Sequence, residues 1–184
     1  MKQADGYTVF STPIGPCAVS WTDAGLAAVW LPEANEAALH AVVSRRLGDV
    51  LPAVPPASVR AAIDRIVAVL SGGSDDLADL PLDTGGLPDF HRRVYEATRR
   101  IAPGATRTYG ELAAALGEPQ AARAVGQALG RNPFPIVVPC HRVLAANGAA
   151  GGFSAPGGVR TKLHLLEIER ARLGGAPGLF DRLN

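Results

Sequence analysis

The hydrophobic residues near the N-terminus fall in three short β-prone runs, at residues 7–12, 17–22 and 26–31. Segments 13–16 and 23–25, which contain Pro and Gly, separate these runs and are typical of turns. We therefore predict a small antiparallel meander at this end of the chain.

Apolar residues recur at helical spacing in most of the remaining chain, and Gly or Pro ends each stretch. A further β-prone run, at residues 77–82, predicts another strand. The predicted helices cover residues 35–47, 58–70, 89–101, 109–116, 120–129 and 158–173.

Composition and charge both change across residues 83–88, which makes this segment the best domain boundary. Residues 1–85 carry 5 Lys or Arg against 10 Asp or Glu, whereas residues 86–184 carry 13 against 7. A polyanion would therefore be met by the second half. The alternative is that both halves present ordinary solvated faces. We predict an α/β (α+β) protein, with an N-terminal structural domain over 1–86 and a mostly helical domain over 87–184.

The 184-residue chain is 47% hydrophobic and 19% charged, which excludes disordered and collagen-like proteins. It contains no apolar run of membrane-spanning length and no signal-like N-terminal segment, so we expect a cytoplasmic protein. Cys17 and Cys140 are too few for a disulfide framework or a cysteine-based zinc site. Basic residues are nearly all Arg, which indicates a GC-rich and hence bacterial genome.

Two of the predicted helices, 109–116 and 120–129, are joined by a tight turn and fit a helix-turn-helix. The second helix has an apolar face and an opposite face on which Arg123 stands among small residues. A helix is too wide for the minor groove unless its contacting face lacks bulk, and a lone Arg there could enter the base stack. The alternative is an alanine-rich surface helix with a solvated Arg. The apolar face is Ala121, Val125, Ala128 and Leu129; the other is Arg123, Gly126, Gln127 and Gly130.

Residues 132–143 hold the sharpest chemical feature, a β-branched run that ends in Pro and is followed by Cys140, His141 and Arg142. Most free cysteines are buried and structural, but neighbouring cations favour a thiolate. Adjacent side chains of an extended segment face opposite ways. His141 could therefore act on Cys140 only through a bend or a bridging water. An acceptor such as Glu167 or Glu169 would orient the imidazole.

The five residues Pro139-Cys140-His141-Arg142-Val143 resemble the active-site signature of the O6-alkylguanine-DNA alkyltransferases. The resemblance is close over residues 88–173 and loose before them. Further matches follow in the family's order: Thr108-Tyr109-Gly110-Glu111-Leu112, Ala121 to Gly126, Asn132-Pro133, and Lys162 followed by Leu165-Leu166 and Glu169.

This resemblance implies roles for five catalytic residues. Cys140 would accept the alkyl group, and His141 would deprotonate it through a water, with Glu169 orienting the ring. Asn132 would be the hinge that ties the helix-turn-helix to the cysteine turn, and Tyr109 would donate a proton to guanine N3.

The resemblance also implies that the partner is double-stranded DNA bearing O6-alkylguanine and that each protein reacts once, as a monomer, with no metal or cofactor. It leaves open the preferred alkyl group and the use of O4-alkylthymine. Arg123 would replace the flipped base. The remaining residues expected to bind DNA or substrate are Ala122, Gly126, Gln127, Pro135, the Val143 carbonyl, Phe153 and Ser154.

Two departures from the family pattern stand out. The segment from Phe153 to Gly158 has two more residues than is common, and Phe153 stands where Tyr is usual. Some members bind zinc near the N-terminus, but Cys17 and His40 do not form a ligand set, so we expect no zinc.

Three other functions are alternatives to alkyl transfer. A damage sensor of the same scaffold would bind the lesion without transferring anything, but such proteins replace the cysteine. A Cys–His hydrolase would have no use for Arg123. A major-groove transcription factor would need more polar side chains on the second helix.

Overall fold

The computed structural model describes residues 3–171, and its N-terminal part is the expected meander. Strands β1 (Gly6–Thr12), β2 (Gly15–Thr22) and β3 (Gly25–Trp30) pair antiparallel in the order β1-β2-β3. Gly25, with φ 135°, begins β3 at a point where a Cβ atom would lie 2.3 Å from the carbonyl oxygen of Pro81. Only glycine fits this turn. Helices α1 (Glu36–Leu47) and α2 (Ala57–Leu70) follow.

Both edges of this sheet are covered by proline-containing loops. At β1, Ala53 donates its N–H to the carbonyl of Tyr7 next to Pro52. At β3, the N–H of Leu26 donates to the carbonyl of Pro81 over 2.9 Å. The N–H of Val29 donates to the carbonyl of Pro133 over 2.8 Å. The last bond ties the sheet to the segment that leads to Cys140.

The strand predicted at residues 77–82 is wrong. Leu77 has a positive φ of 56°, and the N–H of Leu80 donates back to its carbonyl, so the segment turns. Arg65 holds the turn from outside by ion pairs with Asp75 and Asp79, both at 2.6 Å. The segment pairs with the sheet only through an isolated bridge between Leu26 and Leu82.

The second half consists mainly of helices, as predicted, although two short strands were not predicted. Residues 107–108 pair in parallel with residues 143–144, which brings the segment before Tyr109 beside the segment after Cys140. The helix predicted at 158–173 ends at Ile168, and residues 172 and 173 lie outside the described residues. The elements are α3 (Asp89–Arg99), β4 (Arg107–Thr108), α4 (Tyr109–Ala115), α5 (Ala122–Gly130), a 3-10 turn (Cys140–Arg142), β5 (Val143–Leu144) and α6 (Val159–Ile168).

One hydrophobic core runs through both halves of the chain. Val19 and Leu26 of the sheet belong to the same buried cluster as Phe134, Val138 and Leu165. The α/β class is confirmed, whereas the division at residues 86 and 87 stays a prediction. Among residues 3–171, no helix is long and apolar enough to cross a membrane.

Candidate active site

Helices α4 and α5 form the predicted helical hairpin. The Thr108 hydroxyl accepts from the N–H of Glu111 at 3.1 Å, and the Glu111 carboxylate accepts from the N–H of Thr108 at 2.6 Å. This capping box fixes where α4 begins and so places Tyr109 at its first turn. In α5 the predicted faces are confirmed, because Val125 is buried and Arg123 is exposed.

The segment before Cys140 is a turn held by the side chain of Asn132. Its Nδ2 donates to the carbonyl of Val138, and its Oδ1 accepts from the N–H of Phe134, both at 2.9 Å. Ile136 within the turn has φ 74°, a strained value for a β-branched residue. Cys140 and His141 therefore lie in a 3-10 turn rather than in extended chain. The chain therefore bends at the two residues, as an interaction between their side chains would require.

A buried carboxylate orders this turn. Glu169 Oε1 lies 2.9 Å from His141 Nε2 and 2.7 Å from Arg142 Nη2, and the three side chains are at most 3% exposed. Arg142 also donates to the carbonyl of Ile101 over 2.5 Å. Of the two glutamates considered from the sequence, Glu169 is the one that reaches His141, whereas Glu167 lies on the surface near His164.

The protonation states follow from these contacts. Burial alone would raise the pKa of Glu169, but hydrogen bonds from His141 and Arg142 outweigh it and lower that pKa to about 2. An ionised carboxylate only accepts, so His141 Nε2 carries the proton. Burial lowers the pKa of His141, which keeps the ring neutral. Its Nδ1 then holds a lone pair, and this buried atom has no hydrogen-bond partner among the described residues.

Flanking cations were expected to favour a Cys140 thiolate, but burial opposes ionisation of this thiol in the free protein. Burial is the largest influence and raises the pKa of the Cys140 thiol, although a hydrogen bond from Asn132 works in the opposite direction. Arg142 is committed to Glu169, and His141 is neutral. The resting site therefore pairs a protonated thiol with a neutral base.

Comparison with known proteins decides the family. A family model for the 6-O-methylguanine DNA methyltransferase DNA-binding domain matches residues 89–171. A methylated-DNA–protein-cysteine methyltransferase of Mycobacterium tuberculosis is 44% identical over 126 residues, which cover 68% of this chain and 74% of that protein. One of Methanothermobacter thermautotrophicus is 37% identical over 163 residues, which cover 89% and 84%. The chain belongs to the methylated-DNA–protein-cysteine methyltransferase family.

The fold of this methyltransferase-family chain also matches a solved structure. The crystal structure of Mycobacterium tuberculosis OGT in complex with DNA is 34% identical and superposes with a TM-score of 0.72. The match covers 97% of this chain and 99% of that one. The similarity therefore includes the N-terminal half, where the sequence resemblance is loose.

Most of the predicted pocket residues of this family member do come together. A cavity of about 290 Å³ is lined by Cys140 together with Asn132, Pro135, Phe153 and Ser154. The other predicted residues lie outside its wall. Tyr109 packs beside Gly126 and Gly151, the carbonyl of Val143 binds a lysine, and Ala122, Arg123, Gly126 and Gln127 lie along α5.

The sequence pattern indicates Lys162 only as part of a motif and assigns it no role in the site. Its side chain is fully buried, its Nζ donates to the carbonyl of Val143 over 2.5 Å, and Nζ lies 5.8 Å from the centre of the Tyr109 ring. Burial lowers the pKa of Lys162 to about 8, despite an opposing interaction with Cys140. Its rarity was the available signal, since the chain has Lys at only two positions.

One acidic cluster among the described residues is close enough to hold a metal ion, and it lies far along the chain from Cys140. It consists of Asp75, Asp76 and Asp79. Arg65 already pairs with two of these carboxylates. Neither Cys17 nor His40 belongs to it.

Proposed function

We propose that this chain repairs DNA by moving an alkyl group from O6 of guanine in double-stranded DNA to Sγ of Cys140. One observation carries the proposal: a buried thiol and a neutral His141 share one turn, and Glu169 fixes the ring so that Nδ1 is the free base. A thiolate is the strong nucleophile that attack on an alkyl carbon needs.

The proposed reaction begins with removal of the thiol proton. His141 Nδ1 takes the proton from Cys140 through one water, and the Glu169 carboxylate stabilises the imidazolium that forms. The thiolate then attacks the alkyl carbon, a new S–C bond forms, and the C–O6 bond breaks. Burial raises the pKa of Tyr109, so its hydroxyl stays protonated and can donate to guanine N3 as the base leaves.

The base must leave the helix before this chemistry, because O6 is out of reach within a stacked duplex. Arg123 is exposed on α5 among the small residues Ala122 and Gly126, with Gln127 also on the surface. We infer that this face of α5 enters the minor groove. Insertion of Arg123 into the gap would offset part of the unstacking cost. The guanine would then lie between Pro135 and the loop at Phe153.

The carbonyl of Val143 fits a second role in holding the base. It accepts from Lys162, and a carbonyl oxygen has two lone pairs, so it can also accept from a guanine amino group. The product, an S-alkylcysteine, is a thioether that water does not readily cleave. Each molecule would therefore react once.

Intact-protein mass spectrometry with peptide mapping tests the proposal. The chain is incubated with a duplex that holds one O6-methylguanine, and a Cys140→Ser variant serves as the matched control. We expect the mass to rise by one methylene group on the Cys140 peptide, to saturate at one per protein, and to stay constant in the control. Cys17, whose pKa burial raises to about 11, is an internal negative control. Tight binding without any mass gain would instead indicate a damage sensor.

A further inference from the structure

Tyr95 of α3 is a buried side chain that the reaction described above does not use. Its hydroxyl donates to the carbonyl of Ala128 in α5 over 2.9 Å. Its ring meets the ring of Phe134 edge-on, with the two centroids 6.5 Å apart and an angle of 87° between the planes. One side chain thus contacts both the helix proposed to enter DNA and the turn that leads to Cys140.

The hydroxyl bond lies at the C-terminal end of α5. The last carbonyls of a helix lack partners within it, and a residue with positive φ commonly closes such an end. Neither Arg131 nor Asn132, the two residues after α5, has a positive φ. The Ala128 carbonyl instead accepts from the N–H of Arg131, at 3.1 Å, and from the Tyr95 hydroxyl. Tyr95 therefore helps to fix where α5 ends relative to α3.

The ring contact lies inside the cysteine turn. Phe134 is fully buried, its N–H donates to Asn132 Oδ1, and its carbonyl accepts from the N–H of Val138 over 2.8 Å. The Val138 carbonyl in turn accepts from the N–H of Cys140, also over 2.8 Å. Aromatic pairs prefer a narrow range of edge-to-face geometries. The position of Phe134, and with it that of the turn, is therefore coupled to the ring of Tyr95.

The proposed reaction needs α5 and the cysteine turn to keep a fixed relationship. The displaced guanine remains attached to the DNA that α5 holds, whereas Sγ belongs to the turn. The two reacting atoms must approach to about 3.5 Å, and a misplacement of about 1 Å can cost about a hundredfold in rate. Both side-chain bonds of Asn132 go to Phe134 and Val138 within the turn, so they do not by themselves orient the turn relative to α5.

We propose that Tyr95 is a positioning residue, which holds α5 and the cysteine turn in register so that a base displaced by α5 arrives at Sγ. This inference rests on the proposed function, since it concerns delivery of a guanine to Cys140. Tyr95 acts through Ala128 and Phe134. Burial, with a smaller contribution from Cys140, raises the pKa of Tyr95 to about 12, so the hydroxyl remains a donor at neutral pH.

The Tyr95→Phe variant tests this, because it removes the hydroxyl and keeps the ring against Phe134. Single-turnover rates are measured with a saturating duplex that holds one O6-methylguanine and with free O6-benzylguanine. We expect the duplex rate to fall about 3- to 10-fold and the free-base rate to change by less than about twofold, since α5 does not deliver a free base. Affinity for an unmodified duplex should stay nearly constant, because the exposed face of α5 is unchanged.

Tyr7→Phe is the matched control. It removes the hydroxyl of another buried tyrosine, which lies 3.2 Å from His40 Nδ1 in the N-terminal half. We expect the ratio of the duplex rate to the free-base rate to stay at the wild-type value. Tyr95→Phe should fold, because the Ala128 carbonyl keeps the N–H of Arg131 as a partner, and urea unfolding of both variants checks this.

The outcomes separate this inference from the proposed function. If Tyr95→Phe lowers both rates by the same factor, or if Tyr7→Phe shifts the ratio equally, Tyr95 does not hold α5 and the turn in register. A duplex rate that recovers fully at saturating DNA would also overturn the inference, since the hydroxyl would then act on binding alone. If the wild type alkylates Cys140 with neither substrate, the proposed function fails first and this inference with it.

Discussion

Lys162 donates a hydrogen bond to the carbonyl oxygen of Val143 although its side chain has no exposed surface. No ion pair of the described residues includes it. Buried charges are normally paired, whereas this amine has a backbone carbonyl as its partner in place of a carboxylate. The bond joins α6 to the strand that follows the cysteine turn.

Replacement of Lys162 by Met tests this arrangement through the pH dependence of stability. Burial lowers the folded-state pKa from 10.5 to about 8, so the unfolded chain binds more protons between these values. The free energy of unfolding due to this group therefore rises with pH across that window, by on the order of 3 kcal/mol. Urea unfolding at several pH values should show that the free energy of unfolding of the wild type rises relative to that of Lys162→Met. If the free energy of unfolding depends on pH identically in both proteins, the fold does not lower the pKa of Lys162.

The Glu169→Gln change should slow alkyl transfer roughly ten- to hundredfold while DNA affinity stays nearly constant. The amide cannot stabilise the imidazolium as a carboxylate does, and residue 169 is too buried to touch DNA. Glu167→Gln, two residues earlier in the chain, is the control, because that carboxylate is exposed and lies 3.7 Å from His164. Single-turnover rates and binding to an unmodified duplex measure the two effects. Equal rates in all three proteins would remove Glu169 from the reaction.

The same carboxylate predicts sensitivity to acid. Its pKa is about 2 in the fold against an ordinary 4.5, so its contribution to stability is present above 4.5 and is lost as pH falls toward 2. The contribution is on the order of 3 kcal/mol, since one pKa unit is worth about 1.4 kcal/mol. The difference in the free energy of unfolding between wild type and Glu169→Gln should therefore shrink across this range. If this difference stays constant, the negative charge of Glu169 does not stabilise the fold through His141 and Arg142.

Arg123→Ala should weaken repair of duplex DNA far more than reaction with free O6-benzylguanine base. The free base needs no extrusion from a helix, whereas the duplex lesion loses the side chain that fills the gap, at a cost of roughly ten- to hundredfold in rate. Arg92→Ala is a charge-matched control, because Arg92 lies on α3 and pairs with Asp89. Equal losses on both substrates would contradict the role of Arg123 in base extrusion.

Local patterns were enough to predict the meander, the helical hairpin and the faces of α5, because each depends on spacing within a few residues. The turn at residues 77–82 was not predictable in this way. Its shape depends on Arg65, which is distant in sequence, and on a leucine with positive φ. A lysine is usually exposed, so nothing local indicated the burial of Lys162. The raised pKa of Cys140 likewise comes from tertiary burial, which adjacent residues do not reveal.

The prolines beside the sheet decide what else it can pair with. An open strand edge offers a row of N–H and C=O groups on which another chain can assemble, and proteins commonly block it. Here loops occupy both outer strands, and Pro52, Pro81 and Pro133 have no N–H to extend a ladder. Neither outer strand is therefore open for pairing with a further strand. We expect the sheet to resist edge-to-edge aggregation even at high concentration, which dynamic light scattering of concentrated protein can check.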